Sequence, residues 1–211
     1  APPSVHGVRT STNSMTERLG TLAEEFRKGG YQTAGIVSNP VLYRDFGFSR
    51  GFDFYDDYTI PLRVDMNPLD NGKVVPNQNV GVTGESMTRL ALSWLTGKRE
   101  KGKPFFLYLF FFDPHYDYAP QPPYDRMFAD RAYRGPQDGK GIRLLRGQAL
   151  PDEDKRSIVA SYDGEVRFTD EQVGKVLEAL KKEGLYESTV VAITADHGEE
   201  FWDHGGIMHG H

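Results

Sequence analysis

The chain has no cysteine among its 211 residues. That excludes disulfide staples, thiolate metal sites and a cysteine nucleophile within this segment, and it leaves the compartment open. No apolar run is long enough to cross a membrane: the longest, residues 105–112, falls far short of the roughly 20 residues such a helix needs. The opening Ala1-Pro2-Pro3-Ser4-Val5-His6-Gly7 lacks the charged start and apolar centre of a signal peptide, so any targeting segment would lie upstream. There is no basic stripe. The 25 Lys and Arg are scattered among 30 Asp and Glu, with a net charge of -5, which argues against a nucleic-acid partner. No internal repeat is visible. What remains, 38% hydrophobic and 26% charged, is ordinary globular composition, enough for one sizeable core and one domain.

Helix and strand signals alternate along the chain. Ser14-Met15-Thr16-Glu17 and Thr21-Leu22-Ala23-Glu24 both fit a capping box. The second is the better start, because Gly20 precedes it and Leu22, Ala23 and Phe26 then share a face. Gly29-Gly30 stops that helix, and a short strand over 31–37 follows, ended by Asn39-Pro40. Residues 41–82 show no sustained period and read as a long ordered loop. Met87, Leu90, Ala91 and Trp94 mark one face of a helix over about 84–97, with Trp94 in the core. Residues 105–112 are apolar on both faces, which suggests a central strand covered by helices on each side. Residues 113–150 are rich in Pro, Gly and Arg, as in a functional or mobile loop. A long helix is expected over about 152–182, buried along Val166, Val173, Val176, Leu177 and Leu180 and ended by Gly184. Asp163, Glu165 and Asp170 fall on its polar face. A last strand is expected over 188–194. This order of elements implies a layered α/β fold with mostly parallel strands.

The chemistry concentrates at the end. From Thr194 to His211, Asp196, Glu199, Glu200 and Asp203 stand among His197, His204, His209 and His211, four of the chain's 6 histidines. A strand emptying into Asp196-His197-Gly198 resembles the way an open α/β sheet presents metal ligands at its carboxyl edge. The other apolar run empties into Asp113-Pro114-His115, so parallel neighbours would bring both pairs to one edge. Successive strand residues face opposite ways, so Asp196 and His197 share one cation only if the chain leaves strand geometry there; Gly198 makes such a turn easy. An oxygen plus an imidazole nitrogen suits Mn²⁺ or Zn²⁺ better than Ca²⁺. A chain that stops amid this chemistry reads as a fragment.

Thr194-Ala195-Asp196-His197-Gly198-Glu199-Glu200-Phe201 with His204-Gly205 resembles the metal-binding segment of the sulfatase family, in the alkaline phosphatase superfamily. Phe106-Leu107-Tyr108 through Asp113-Pro114-His115, with Ala119-Pro120, resembles that family's strand with an active-site histidine. Residues 21–24, Gly30-Tyr31-Gln32-Thr33-Ala34 and Gly51-Phe52-Asp53 are similar to the stretch after its nucleophile helix. Ser161-Tyr162-Asp163-Gly164-Glu165-Val166, with Asp170 and Val173-Gly174, resembles its long helix. The likeness covers nearly the whole chain. It implies a three-layer α/β/α fold of alkaline-phosphatase type. It also implies hydrolysis of a sulfuric ester, on a small molecule or a carbohydrate, by a formylglycine nucleophile lying outside this segment. One divalent cation is implied, Ca²⁺ by the resemblance and Mn²⁺ or Zn²⁺ given the His ligand. Asp196 and His197 match the metal pair, His115 the histidine at the sulfate group, and His209 or His211 a basic residue near the leaving group. An extracytoplasmic location is weakly implied. On this reading residues 1–211 are part of a catalytic domain, truncated at both ends and inactive alone.

Three departures from the family stand out. The Cys/Ser-x-Pro-Ser/Ala-Arg nucleophile motif is absent, and Ala1-Pro2-Pro3-Ser4 mimics only its Pro-Ser core. The paired acidic ligands expected upstream are missing. Val37-Ser38-Asn39-Pro40 replaces the Gly-Lys-x-His of many sulfatases. The His variant of the metal pair also occurs in phosphonate monoester hydrolases, so a phosphate or phosphonate monoester hydrolase or a phosphoryl transferase is the alternative. A non-catalytic module binding metal or an anion is a third reading. Among the remaining residues, His6 reads as a surface histidine and His204 as either a substrate contact or loop packing. Glu199 and Glu200 are candidates to orient His197, with solvated loop carboxylates as an equal alternative. Tyr55-Asp56-Asp57-Tyr58 reads as a surface loop, with a sugar site as the alternative.

Overall fold

The computed structural model describes residues 14–16, 19–57, 62–64, 74–76 and 83–209. His6 and His211 lie outside them, as does much of the 41–82 stretch. The chain divides into two compact units, residues 1–112 and 113–211.

The first unit begins with helix α1, Leu22–Lys28. The Thr21 hydroxyl accepts the Glu24 amide at 3.1 Å, and the Glu24 carboxylate accepts the Thr21 amide at 2.7 Å. This is the reciprocal cap expected from the sequence, worth about 1 kcal/mol. Gly29 caps the other end, and Gly30 turns the chain at φ 82° into strand β1, Gln32–Val37. β1 pairs in parallel with β2, Phe54–Asp56, on one side and with β5, Phe105–Phe110, on the other.

The order β2-β1-β5 corrects one expectation: among the described residues β1, not the aromatic β5, is the central strand. Small side chains make this possible. Thr33 to Val37 are all buried, and a Cβ on Gly35 would stand 2.7 Å from the Tyr55 ring. The Thr33 hydroxyl donates to Gly51 O at 2.7 Å and accepts the Asp53 amide at 2.9 Å, which ties the β2 side down.

The bulk of β5 serves the helices. Phe106 stacks on Phe26 of α1 with ring centroids 4.5 Å apart. Its neighbour Phe105 meets Trp94 edge-on at 5.9 Å, from the π-turn Trp94–Lys98 that continues helix α2, Gly84–Ser93. Adjacent strand residues face opposite ways, so α1 and the end of α2 cover opposite faces of the parallel sheet, giving the three α/β/α layers. A two-stranded antiparallel ribbon, β3 (Leu62–Val64) with β4 (Val74–Pro76), lies within the stretch read as loop.

One further correction falls in this unit. Asp57 is not on a surface loop: it is 1% exposed and takes Arg44 through the guanidinium and, at 2.8 Å, the backbone amide. The Tyr55 hydroxyl donates to Leu42 O at 2.6 Å, and burial, reinforced by the Asp57 charge, pushes its pKa up. Both side chains serve packing. Ser38, in the stretch where many sulfatases carry Gly-Lys-x-His, is fully buried. Its hydroxyl donates to Phe110 O at 3.2 Å and accepts the Phe112 amide at 2.9 Å, tying the end of β1 to the end of β5.

The second unit is built on helix α3, Asp152–Lys182, with the limits the sequence suggested. Asp152, Glu153 and Asp154 sit in its first turn and Lys181 and Lys182 in its last, as the helix dipole favours. Gly184 ends it at φ 67°. Its buried side agrees with the expected one at Val176 and Leu180 and departs from it at Val166 and Glu165. Ile158, Phe168, Gln172, Val176, Ala179 and Leu180 are buried, Val166 is exposed, and Glu165 is 3% exposed. The core of the unit is Tyr118, Ile142, Ile158, Ile207 and Met208, with Tyr162, Phe201 and Trp202 against it.

The expected strand over 188–194 is not formed. Tyr186–Ser188 is a 3-10 turn, and residues 190–195 have no ladder partner among the described residues; Val190 is 97% exposed and Ile193 72%. β-branched composition suits a pleated surface but does not by itself supply the hydrogen-bonded neighbour a strand requires. The chain ends in a hairpin instead, β6 (Glu200–Phe201) against β7 (Ile207–Met208). Among the described residues no helix is long and apolar enough to cross a membrane.

Candidate functional site

The hairpin sets the site. Between its strands the chain turns through Trp202 at φ 65° and Gly205 at φ 90°, and Met208 is held at φ 78°. Left-handed conformations at two bulky residues are uncommon and need outside support. The Glu200 carboxylate gives it by accepting the amides of His204 at 2.9 Å and Gly206 at 2.8 Å. Trp202 N–H donates to Gly206 O at 2.7 Å, and buried Ile207 and Met208 seat β7 in the core. The result brings His209 back over the segment it left ten residues earlier.

His209 stands between two other histidines. Its ring centroid lies 4.0 Å from that of His197 and 5.6 Å from that of His115. Each ring is fixed through Nδ1. His115 Nδ1–H donates to Tyr116 O at 2.7 Å, and His197 Nδ1–H to Gly198 O at 2.9 Å. His209 Nδ1–H donates to the Glu199 carboxylate, 3.1 Å from Oε1 and 3.2 Å from Oε2. Carbonyl and carboxylate oxygens only accept, so a neutral ring in any of the three carries its lone pair on Nε2. Burial above all, with the Tyr116 carbonyl opposing and His209 and His197 adding, lowers the His115 pKa to about 4, so His115 is neutral at pH 7.

Glu199 thus orients His209 and not His197, and Glu200 braces the hairpin; neither does what the sequence suggested. The Glu199 side chain is only 5% exposed. Beside it, burial pushes the pKa values of Tyr118 and Tyr162 up, and the Glu199 charge adds to both. The His204 side chain is exposed, and its amide donates to Glu200.

Asp196 and His197 remain at the surface, with side chains 56% and 47% exposed. A bend at Asp196 takes the chain out of extended geometry. Asp196 Oδ2 and His197 Nε2 are 3.7 Å apart. Two donors that each bond a cation at about 2.1 Å can be up to about 4.2 Å apart, so this spacing suits one shared ion. No group of three or more His, Asp or Glu able to hold a metal occurs among the described residues.

The sequence reading missed Glu165. Its Oε1 accepts the Ala119 amide at 2.8 Å, while Oε2 is buried with no hydrogen-bond partner among the described residues. Burial above all raises its pKa, the Ala119 and His115 amides oppose, and Asp113 and Asp117 add to the rise, for a value of about 8. Position on a helix gave no signal, because the donors it meets come from a loop 46 residues away.

A family model for sulfatases matches residues 1–211, and the chain belongs to that family. It is 30% identical over 125 residues to an arylsulfatase of Clostridium perfringens (strain 13 / Type A), covering 54% of this chain and 26% of that protein. It is 28% identical over 142 residues to the multifunctional alkaline phosphatase superfamily protein PehA of Trinickia caryophylli, covering 56% of this chain and 27% of that protein. Its fold is that of the phosphonate monoester hydrolase of Agrobacterium radiobacter, with a TM-score of 0.69 and 21% identity over 99% of this chain and 53% of that one. The chain therefore spans about a quarter of the curated relatives and about half of that structure. The parallel sheet between helices and this likeness make the fold alkaline-phosphatase-like.

Proposed function

We propose that the chain carries part of the catalytic site of a sulfuric ester hydrolase acting on a small-molecule or carbohydrate sulfate. The observation that carries the reading is the convergence of His115, His197 and His209, each fixed through Nδ1 so that Nε2 is left for chemistry. Membership of the sulfatase family and the partial likeness to an arylsulfatase support it.

His115 enters neutral, with a lone pair on Nε2. A sulfate group nearby favours the charged imidazole, so that His115 takes up a proton from solvent at Nε2 as the substrate binds and donates it in a hydrogen bond to a sulfate oxygen. His209, held by Glu199 through Nδ1–H, can act as the acid only as the imidazolium, which passes its Nε2 proton to the leaving alkoxide or phenolate and returns to the neutral ring, a contribution of about 10²–10⁴ in rate for a positioned acid. Asp196 and His197 would hold the divalent cation, which supplies neutralising charge for the sulfate oxygens. The donor set, one carboxylate and one imidazole, suits Mn²⁺ or Zn²⁺, while Ca²⁺ remains the family's implication. The nucleophile would be a formylglycine outside residues 1–211, and these residues alone would not turn over substrate.

A phosphate or phosphonate monoester hydrolase is the second reading, favoured by the His in the metal pair and by the partial likeness to a multifunctional superfamily member. Rates of the full-length protein on matched aryl sulfate, phosphate monoester and phosphonate monoester substrates separate the two. The sulfate should give the highest kcat/KM, in enzyme shown by mass spectrometry to carry formylglycine. A phosphoryl substrate well ahead of sulfate would reverse the ranking, and no hydrolysis of any of them would leave the non-catalytic module.

A further inference from the structure

We propose that Glu165 is a positioning residue: from the buried side of α3 its carboxyl group clamps the 115–119 turn and fixes the direction in which His115 presents Nε2. The inference rests on the reading of His115 as a group that meets the substrate.

Glu165 is out of place by ordinary rules. Its helix neighbours Asp163 and Asp170 are exposed, while it is 3% exposed. A buried carboxyl group normally finds a cation, because desolvating the charge otherwise costs several kcal/mol. Here no Lys or Arg acts on it among the described residues, and the nearby charges are those of Asp113 and Asp117. Its Oε1 accepts the Ala119 amide at one end of the turn, the His115 amide at the other end pulls its pKa down, and its Oε2 is buried with no hydrogen-bond partner among the described residues. A group kept buried at such cost, with its donors in one short loop, is spent on the shape of that loop.

The middle of the turn is held independently of Glu165. Tyr118 N–H donates to Gly139 O at 2.8 Å, and Asp117 Oδ1 accepts the Ile142 amide at 3.0 Å. These bonds fix the middle of the turn but not the His115 backbone. Helix α3 comes close enough to reach it because of Gly164, where a Cβ would stand 2.7 Å from Tyr124 O and 2.9 Å from the Pro120 ring. Glu165 then orients the His115 backbone, and with it the bond from Nδ1 to Tyr116 O that leaves Nε2 with the lone pair.

The test uses the full-length protein and the variants Glu165→Ala and Glu165→Gln. Nitrogen-resolved NMR of the His115 ring reports its tautomer, and steady-state hydrolysis of an aryl sulfate reports kcat and KM. The alanine variant should lose the Nδ1–H preference and about 10–100-fold in kcat, with KM within about threefold, the size seen when a supporting contact to an active group is removed. Glutamine keeps a carbonyl acceptor and should restore both. If the alanine variant does not fold, Glu165→Met, of similar reach and without an acceptor, takes its place. A variant with a lower melting temperature but an unchanged tautomer and kcat would make Glu165 merely structural and overturn the proposal. The tautomer readout needs no turnover. A wild-type protein inert towards sulfate esters would thus sink the functional reading and leave this one to be decided by the ring alone.

Discussion

Glu199 and His209 form a carboxylate–imidazole pair across ten residues of chain, with Nδ1 3.1 Å from Oε1. The pair exists only because the hairpin returns His209 to the Asp196-His197 segment. Removing the carboxylate leaves the ring free to turn and to change tautomer. Glu199→Ala should lower kcat/KM of the full-length enzyme about 10–100-fold, with a smaller loss for Glu199→Gln, whose carbonyl still accepts. Steady-state assays on an aryl sulfate check this. Equal rates in Glu199→Ala and wild type would remove His209 from the mechanism.

Asp196 and His197 should together bind one divalent cation in the full-length protein. Their donors are 3.7 Å apart and both side chains are about half exposed, so a cation can reach them. Asp196→Ala removes the anionic member and should reduce bound metal, measured by elemental analysis after dialysis, by at least about tenfold, as expected for loss of a direct ligand. Undiminished metal would show that the cation sits elsewhere.

Glu165 makes stability depend on pH in a sense opposite to most carboxylates. Its pKa is about 8 in the folded protein, above the value of 4.5 for a free glutamate side chain. The folded state therefore binds more protons than the unfolded state between these values. The stabilisation is fully present below about pH 4.5 and is lost as pH rises through about 8. Glutamine mimics the protonated acid at every pH. The stability of Glu165→Gln relative to wild type should therefore rise between pH 5 and pH 8, followed by urea denaturation at several pH values. A constant difference would mean that Glu165 is ionised throughout.

Much of this was legible because it is local. Thr21 and Glu24 announce a capping box within four residues, and α3 carries its own start, period and stop. What was not legible depends on distant partners. Eight apolar residues ending in Phe112 look like the centre of a sheet, yet β1, with its small residues, takes that place because two neighbours must close on it. Residues 188–194 have strand composition but no ladder. Glu165 looks like polar-face helix because nothing in its neighbourhood names the Ala119 amide. The site was half visible. Asp196, His197 and His115 were marked by the motifs that hold them. The pairing of Glu199 with His209 needed the hairpin, whose one signal was Gly205-Gly206 between the apolar pairs Phe201-Trp202 and Ile207-Met208.

Two glycines offer a final test of how tightly the His115 turn is held. At Gly139 the backbone has φ 83°, and an added Cβ would stand 1.9 Å from Tyr118 O and 2.8 Å from the Ser161 Cβ. The carbonyl cannot move aside freely, because Tyr118 is bonded through its own amide to Gly139 O and its ring is fully buried. Gly139→Ala combines a strained left-handed residue, about 1–3 kcal/mol, with overpacking of similar size. The loss should be on the order of 3 kcal/mol, which for a protein of this size lowers Tm by roughly 6–12 °C. Gly174, inside α3, is the control. Nothing lies within 4 Å of its added Cβ and its φ is not positive. Alanine there should stabilise by about 0.5–1 kcal/mol through helix propensity alone. Urea denaturation of both variants in the full-length protein gives the two signs directly. If Gly139→Ala lies within 0.5 kcal/mol of wild type, the turn yields easily, and a clamp on it could not set the direction of His115.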